Sequence, residues 1–270
     1  MSRRHTTRAL EHDDPVAAAI ATAAGAHGVY VRNALAGREG TGVFVQTEGR
    51  DHVLCWFGPR GNLVVIAAAT VDAATATAVA DVVQKQRQPW RIVMGPEPVV
   101  DELRARTTGK PLVCREQMYY AGVAADAAAD AAIDVRSAER ADRDRLVQAT
   151  LLLNQSDLGI DPATVDRRWL RDTIDERIHE GSTRILGPVG ALRCKLDIGS
   201  DGEGGRVIEG VFTFPEFRGQ GLAATLVAAC LRESRGFVCL HVGRDNTNAR
   251  SAYERAGLRV VDSCRLLLLR

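Results

Sequence analysis

The sequence predicts a mixed chain of class α+β, built as two domains of one architecture, each a mixed sheet flanked by helices. At 270 residues it exceeds what one compact core usually holds. An alanine-rich stretch, Ala121 to Ala132, broken only by Gly122, Val123, Asp126 and Asp130, parts two segments of mixed strand and helix pattern. In both segments a third strand, a long helix, a further strand, a short helix and a closing strand follow one another at similar spacing. These boundaries give a first domain at 1–121, a linker at 122–132 and a second domain at 133–270.

Upstream, a helix is expected over Pro15 to Ala24, then strands at Gly42 to Gln46, His52 to Phe57 and Leu63 to Ala69. A helix at Ala73 to Gln86, a strand at Arg91 to Met94, a helix at Pro98 to Arg106 and a strand at Leu112 to Tyr120 complete this half. Downstream, Ile133 to Val135 reads as a strand and Ala138 to Asn154 as a helix. A second helix, Pro162 to Glu180, is opened by Asp161 as N-cap with Pro162 at its first position. Strands follow at Thr183 to Leu186, Ala191 to Ile198 and Arg206 to Phe214. A helix at Leu222 to Glu233, a strand at Phe237 to Val242, a helix at Asn248 to Ala256 and terminal strands end the chain.

With 46% apolar and 26% charged residues, the composition is that of a globular chain and not of a disordered tail. Lys plus Arg (35) and Asp plus Glu (34) nearly cancel, so no net field recruits nucleic acid or an acidic membrane. The basic start, Met1 to His5, runs into Glu11 to Asp14 without an apolar core, unlike a secretory signal. No apolar run approaches the roughly 20 residues of a membrane span. Cys55, Cys114, Cys194, Cys230, Cys239 and Cys264 lack metal-ligand spacing and read as free thiols in a reducing cytoplasm, with no metal expected. Trp56, Trp90 and Trp169 read as core residues.

The most informative segment runs from Val211 through Phe212, Thr213, Phe214, Pro215, Glu216, Phe217, Arg218, Gly219, Gln220, Gly221, Leu222, Ala223 and Ala224 to Thr225 and Leu226. A strand enters a glycine-containing turn and then directly a helix. Gly219 and Gly221 bring no Cβ between backbone and ligand, and the first helical amides have no intrahelical acceptor. Such a turn seats an anion, because the helix N-terminus adds positive potential to convergent N–H donors. A plain helix start would look similar; the form Arg218-x-x-Gly221-x-Ala223 after a strand sharpens the reading. Further on, Asn246 is followed seven residues later by Tyr253 and then by Gly257-Leu258, in a strand, turn, helix and glycine-cap sequence.

These two motifs, in this order, resemble the coenzyme A signatures of the GNAT N-acetyltransferase superfamily. The resemblance covers roughly Ile133 to Arg270, and the arrangement that includes Asp157 to Pro162 is similar to a bacterial subgroup with an uncharacterised N-terminal domain. It implies a mostly antiparallel sheet in each half and acetyl-CoA as co-substrate. Val211, Phe212 and Thr213 would pair with the pantetheine arm, and the amides of Gly219, Gln220, Gly221, Leu222, Ala223 and Ala224 would meet the pyrophosphate. Arg218 and Asn246 belong to the same coenzyme-binding set. Tyr253 is implied as the acid that protonates the leaving thiolate, and Glu209 as the base. His241 is a weaker alternative, and a water chain could replace a single base.

Each role has a plainer counterpart. Tyr253 could be a core tyrosine, and Glu209 could pair with a cation such as Arg193 or Arg206. Asp157 and Asp161 fall in the loop that, by resemblance, lines the acceptor side, though capping alone explains Asp161. In the upstream half the strand Asn62 to Ala69 runs into Thr70-Val71-Asp72-Ala73 without a glycine turn, and Asp72 puts negative charge at the helix start. That half is therefore expected to bind no coenzyme. The implied function is transfer of an acetyl group to a primary amine of a small molecule, peptide or protein, by a monomer or homodimer without nucleic-acid or membrane partners. The alternative is a catalytically silent acyl-CoA-binding or sensory module.

Overall fold

The computed structural model of the chain describes residues 5–47, 51–67, 69–128 and 135–269. Its contacts divide it into unit 1, Met1–Tyr119 with Asp262–Arg270, and unit 2, Tyr120–Val261.

Unit 1 contains β1 (His5–Leu10), α1 (Pro15–Ala23), α2 (Val29–Gly37), β2 (Thr41–Thr47), β3 (Asp51–Phe57), β4 (Asn62–Ala67), α3 (Ala73–Lys85), β5 (Ile92–Gly95), α4 (Glu97–Ala105) and β6 (Val113–Gly122), whose last three residues fall in unit 2. The final strand, β12 (Arg259–Leu268), enters the unit 1 sheet in the order β1-β2-β3-β4-β5-β12-β6. Alternation along β3 fills two cores. Val53, Cys55 and Phe57 pack with Val79, Val83 and Leu103 of α3 and α4. Leu54 and Trp56 pack with Ile20 and Val31 of α1 and α2. Asp14 opens α1 by accepting the Val16 amide at 2.8 Å. Hydrogen bonding from Arg8 holds that carboxyl below the usual range.

Unit 2 contains β7 (Val135–Ser137), α5 (Arg143–Leu158), α6 (Arg167–Glu180), β8 (Thr183–Leu186), β9 (Cys194–Gly202), β10 (Gly205–Thr213), α7 (Leu222–Glu233), β11 (Phe237–Gly243) and α8 (Thr247–Ala256). Its strands run in the order β11-β10-β9-β8-β7. All these neighbours are antiparallel except β10 and β11, which are parallel and joined by α7. Both units thus place two helices after the first strand, then three strands, a helix, a strand and a helix. The entry to α5 is fixed by Asp142, fully buried, which accepts from Arg136 at 2.7 and 2.9 Å and from the Glu139 and Gly190 amides at 2.9 and 2.8 Å.

Several elements depart from the sequence reading. The strand β1 and the helix α2 were not expected, because short runs such as HTTRAL carry little periodicity. The helix expected over Pro162 to Glu180 is two elements. Asp161 caps only a short 3-10 turn, Pro162–Thr164, while Asp166 accepts the Arg168 and Trp169 amides at 2.8 and 3.1 Å and starts α6. The helix expected from Ala138 starts at Arg143 after another such turn. Ile133 and Asp134 of the expected strand, and Ala129 to Ala132 of the expected linker, lie outside the described residues; Val135 begins β7.

The C-terminal strand, expected within 133–270, instead pairs through Arg265–Leu268 with Gly95–Ile92 of β5, because β5 offers it a free edge and a core for Leu267. Trp56 is buried in the core under α1 and α2, and Trp90, half-buried, packs against the separate core under α3 and α4, but Trp169 is 61% exposed, since α6 buries Leu170 and Ile174 instead. Because Leu267 is fully buried in the unit 1 core, Leu267→Ala should lower unfolding free energy by about 2–5 kcal/mol in urea titrations. An effect below 0.5 kcal/mol would show that β12 adds little to that core.

Candidate active site

Strand β10 sets the geometry of unit 2. On one side it follows β9 from Gly205 to Thr213. On the other it pairs with β11 only at Gly205, Arg206 and Val207, opposite Phe237, Val238 and Cys239. Beyond Val207 the two strands part, although β10 runs on to Thr213 and β11 to Gly243. Register shifts at Val207/Ile208 and Glu209/Phe212 bend β10 as it leaves. Gly210, in the second bulge, has φ +59°, and a Cβ there would meet the Asp197 carboxylate and the Lys195 ammonium at 2.7 and 2.8 Å. Only glycine satisfies both constraints.

The Phe214 amide donates to the Arg193 carbonyl at 3.0 Å, on the β9 side. Ladder alternation therefore turns the backbone groups of Val211 and Thr213 toward the gap. Phe212 and Phe214 point the other way, into the core under α5 and α6, with their rings edge-to-face at 5.2 Å. After Thr213 a 3-10 turn, Pro215–Phe217, leads to Gly219 and Gly221, both at φ +77° with open space where a Cβ would stand. Gly221 is the N-cap of α7 and offers no side-chain acceptor, and no acidic residue occupies the first turn. The first intrahelical bond runs from the Thr225 amide to the Gly221 carbonyl, so the Leu222, Ala223 and Ala224 amides have no helical acceptor. Arg218, expected from the sequence resemblance to bind coenzyme, turns its Nε to the Thr213 carbonyl at 3.2 Å and so ties the turn to the strand edge. Gln220 is exposed on the same turn.

Asn246 caps α8, accepting the Ala249 amide at 3.1 Å, and Gly257 ends it at φ +106°. Tyr253 lies on the buried face of α8 with Ala252 and Ala256. Burial, and then the charge of Asp157, push its phenol well above the ordinary tyrosine value. The structure thus brings two sequence candidates, Tyr253 and Asp157, within electrostatic reach of each other. It also adds Tyr120, which the sequence reading left as a strand residue, with its ring 5.9 Å from that of Tyr253.

Glu209 stands on β10. It is half-exposed, and its Oε1 accepts from Arg177 of α6 at 2.6 Å, so its cation is neither Arg193 nor Arg206. Arg177 also reaches Asp197 at 2.6 Å. Asp197 in turn accepts from Lys195 at 2.5 Å and from Thr183 Oγ1 at 2.8 Å. Despite burial, Lys195 and Arg177 hold the Asp197 carboxyl below its usual range. The alternating charges Lys195-Leu196-Asp197 inside an apolar strand were a usable sign of such a cluster. Arg177, 32 residues from Glu209, left none. His241 lies half-buried on β11, and Asp161 serves as the cap of the 3-10 turn.

In unit 1 the corresponding helix start is closed. Asp72 accepts the Thr75 amide at 2.8 Å and so occupies an amide that a phosphate oxygen would need. All six cysteines are free and five are buried; burial pushes the thiols of Cys55 and Cys264 up to about 12 and that of Cys194 to about 11. Among the described residues no helix is long and apolar enough to cross a membrane, and no three His, Cys, Asp or Glu side chains group to hold a metal ion.

Because Asp197 titrates below its ordinary 3.8, its contribution to stability is present above that pH and is lost as pH falls through the folded value. Asp197→Ala strands Lys195 and should cost about 3–5 kcal/mol at pH 7. Urea midpoints measured from pH 7 to pH 2 should converge between parent and variant at the acid end. A constant difference across that range would remove Asp197 from the acid limb.

The model of the acetyltransferase (GNAT) family matches residues 160–258. Among solved structures, a Drosophila protein superposes with TM-score 0.63 at 11% identity, covering 97% of this chain and 98% of that one. A GNAT-family acetyltransferase from Colwellia psychrerythraea superposes with TM-score 0.54 at 10% identity, covering 98% and 100%. A GCN5-related N-acetyltransferase from Sphaerobacter thermophilus gives TM-score 0.52 at 17% identity, covering 98% and 95%. No curated protein matches. At these identities the structural likeness speaks for the fold, while the family match spans the whole of β10, its turn, α7 and α8. Residues 160–258 thus resemble the acetyltransferase (GNAT) family, over the same segment that carries the two sequence motifs.

Proposed function

We propose that the chain is an acetyl-CoA-dependent N-acetyltransferase that passes an acetyl group directly to a primary amine of a small molecule, peptide or protein. The observation that carries this reading is the parting of β10 from β11 ahead of the uncapped N-terminus of α7. A thioester carrier needs both features: an extended backbone edge for its amide-bearing arm and a cluster of N–H donors for its diphosphate. Val211, Phe212 and Thr213 supply the edge, and Gly219 to Ala224 the donors. Asn246 holds the start of α8 and with it the placement of Tyr253.

In this reading the amine lone pair attacks the thioester carbonyl carbon, the C–N bond forms and the C–S bond breaks. Tyr253 gives its phenolic proton to the departing thiolate. The phenol is protonated at neutral pH and so has a proton to give, while burial by itself weakens it as an acid, so the transfer relies on its placement beside the thiolate. The amine's proton goes to Glu209, whose Oε1 is held by Arg177, leaving Oε2 to receive it. Asp157 adds negative charge that favours a cationic acceptor. Six free thiols suit a reducing cytoplasm, and balanced charge favours a small or peptidic acceptor over nucleic acid.

Calorimetry should show acetyl-CoA binding, and free-thiol release should appear across a panel of amines and peptides. Tyr253→Phe should slow turnover by about ten- to a hundredfold while acetyl-CoA affinity stays nearly intact. Unchanged turnover would take Tyr253 out of the mechanism. Binding without turnover by the parent would make the chain a silent acyl-CoA-binding module, and no binding would end the acetyl-CoA assignment.

A further inference from the structure

We propose that Tyr120 is a positioning residue that fixes the ring of Tyr253; this rests on Tyr253 being the acid of acetyl transfer. Tyr120 opens unit 2 and precedes the family-matched residues by 40 positions in the chain, 120 against 160. It is fully buried. Its hydroxyl donates to Glu254 Oε1 at 2.7 Å and accepts from Arg250 Nε at 3.2 Å. Arg250 also donates to the Arg244 carbonyl at 3.1 Å, in the turn that leads to Asn246. One phenol therefore holds α8 at residues on either side of Tyr253 and, through Arg250, the turn that starts the helix.

The ring completes the arrangement. It stands edge-on to Tyr253, with centroids 5.9 Å apart and planes at 69°. The other members of the buried face of α8 are Ala252 and Ala256, whose single methyl groups offer Tyr253 little lateral wall. Without the Tyr120 ring the Tyr253 phenol gains room to tilt. A displacement of about 1 Å at an acid costs up to a hundredfold in rate, whereas coenzyme gripped by backbone amides of α7 would be held as before. A purely structural tyrosine predicts a different pattern, in which stability, affinity and rate fall together.

The full chain, labelled with fluorotyrosine, provides the test. Four tyrosines give four fluorine resonances, and Tyr253→Phe identifies the one of interest. Tyr120→Leu should broaden or double the Tyr253 line and lower kcat about tenfold or more, with KM for acetyl-CoA within about twofold. Tyr120→Phe keeps the ring and loses the tether, so it should retain one Tyr253 line and lose only about threefold in kcat. A single sharp Tyr253 line in Tyr120→Leu at parent kcat would overturn the proposal, as would a joint fall of kcat, acetyl-CoA affinity and melting temperature in both variants. Should the parent acetylate no amine at all, the acetyl-transfer reading falls on its own, and the Tyr253 line shape in Tyr120→Leu still decides whether Tyr120 holds that ring.

Discussion

A strand inside a sheet normally pairs on both sides, because an unpaired backbone N–H or carbonyl away from water costs as much as a lost hydrogen bond. Strand β10 follows β9 to its end, with two register shifts, but leaves β11 after Val207, and the candidate site follows from that parting. Two register shifts take up the bend, and Gly210 supplies the left-handed backbone that the second one requires. The freed edge leads into a turn whose glycines deliver the chain to α7 with its first amides uncapped. Extended edge and amide cluster are consecutive in the chain, so one bend in one strand creates both.

Holding β10 in that bend falls to charges. Lys195, Asp197, Arg177 and Glu209 tie β9, β10 and α6 together around the Gly210 bulge, with Thr183 completing the Asp197 shell. Burying such groups is expensive, and a well-packed apolar set would often be at least as stable. What the charges add is directionality: each carboxylate oxygen accepts from a specific donor, so the register of β10 against β9 has few alternatives. Glycine at 210 and lysine at 195 are two sides of one fit, since a side chain at the first would displace the second.

The two units share an element order and differ in chemistry. In unit 1 the helix after β4 begins at Asp72, whose carboxylate takes the amide that unit 2 leaves open. The same architecture therefore closes one helix terminus with its own anion and leaves the other without a side-chain cap.

Local instructions were legible without coordinates. The bounds of α7, Leu222–Glu233, follow from the Gly-x-Gly turn and the apolar period, and the cap at Asn246 and the stop at Gly257 follow from their side chains and φ preferences. So does the glycine turn with its uncapped helix start at residues 219–224, because helix ends and glycine turns are set by neighbours in the chain. Tertiary structure alone decided that β12 pairs with β5, that Arg177 and not Arg193 or Arg206 holds Glu209, that Trp169 faces solvent, and that Tyr120 meets Tyr253. Each of these depends on which sheet edge is free and which distant charge or ring comes within reach. Backbone preference is short-ranged and written in adjacent residues, whereas pairing and burial are settled only when the chain has closed on itself.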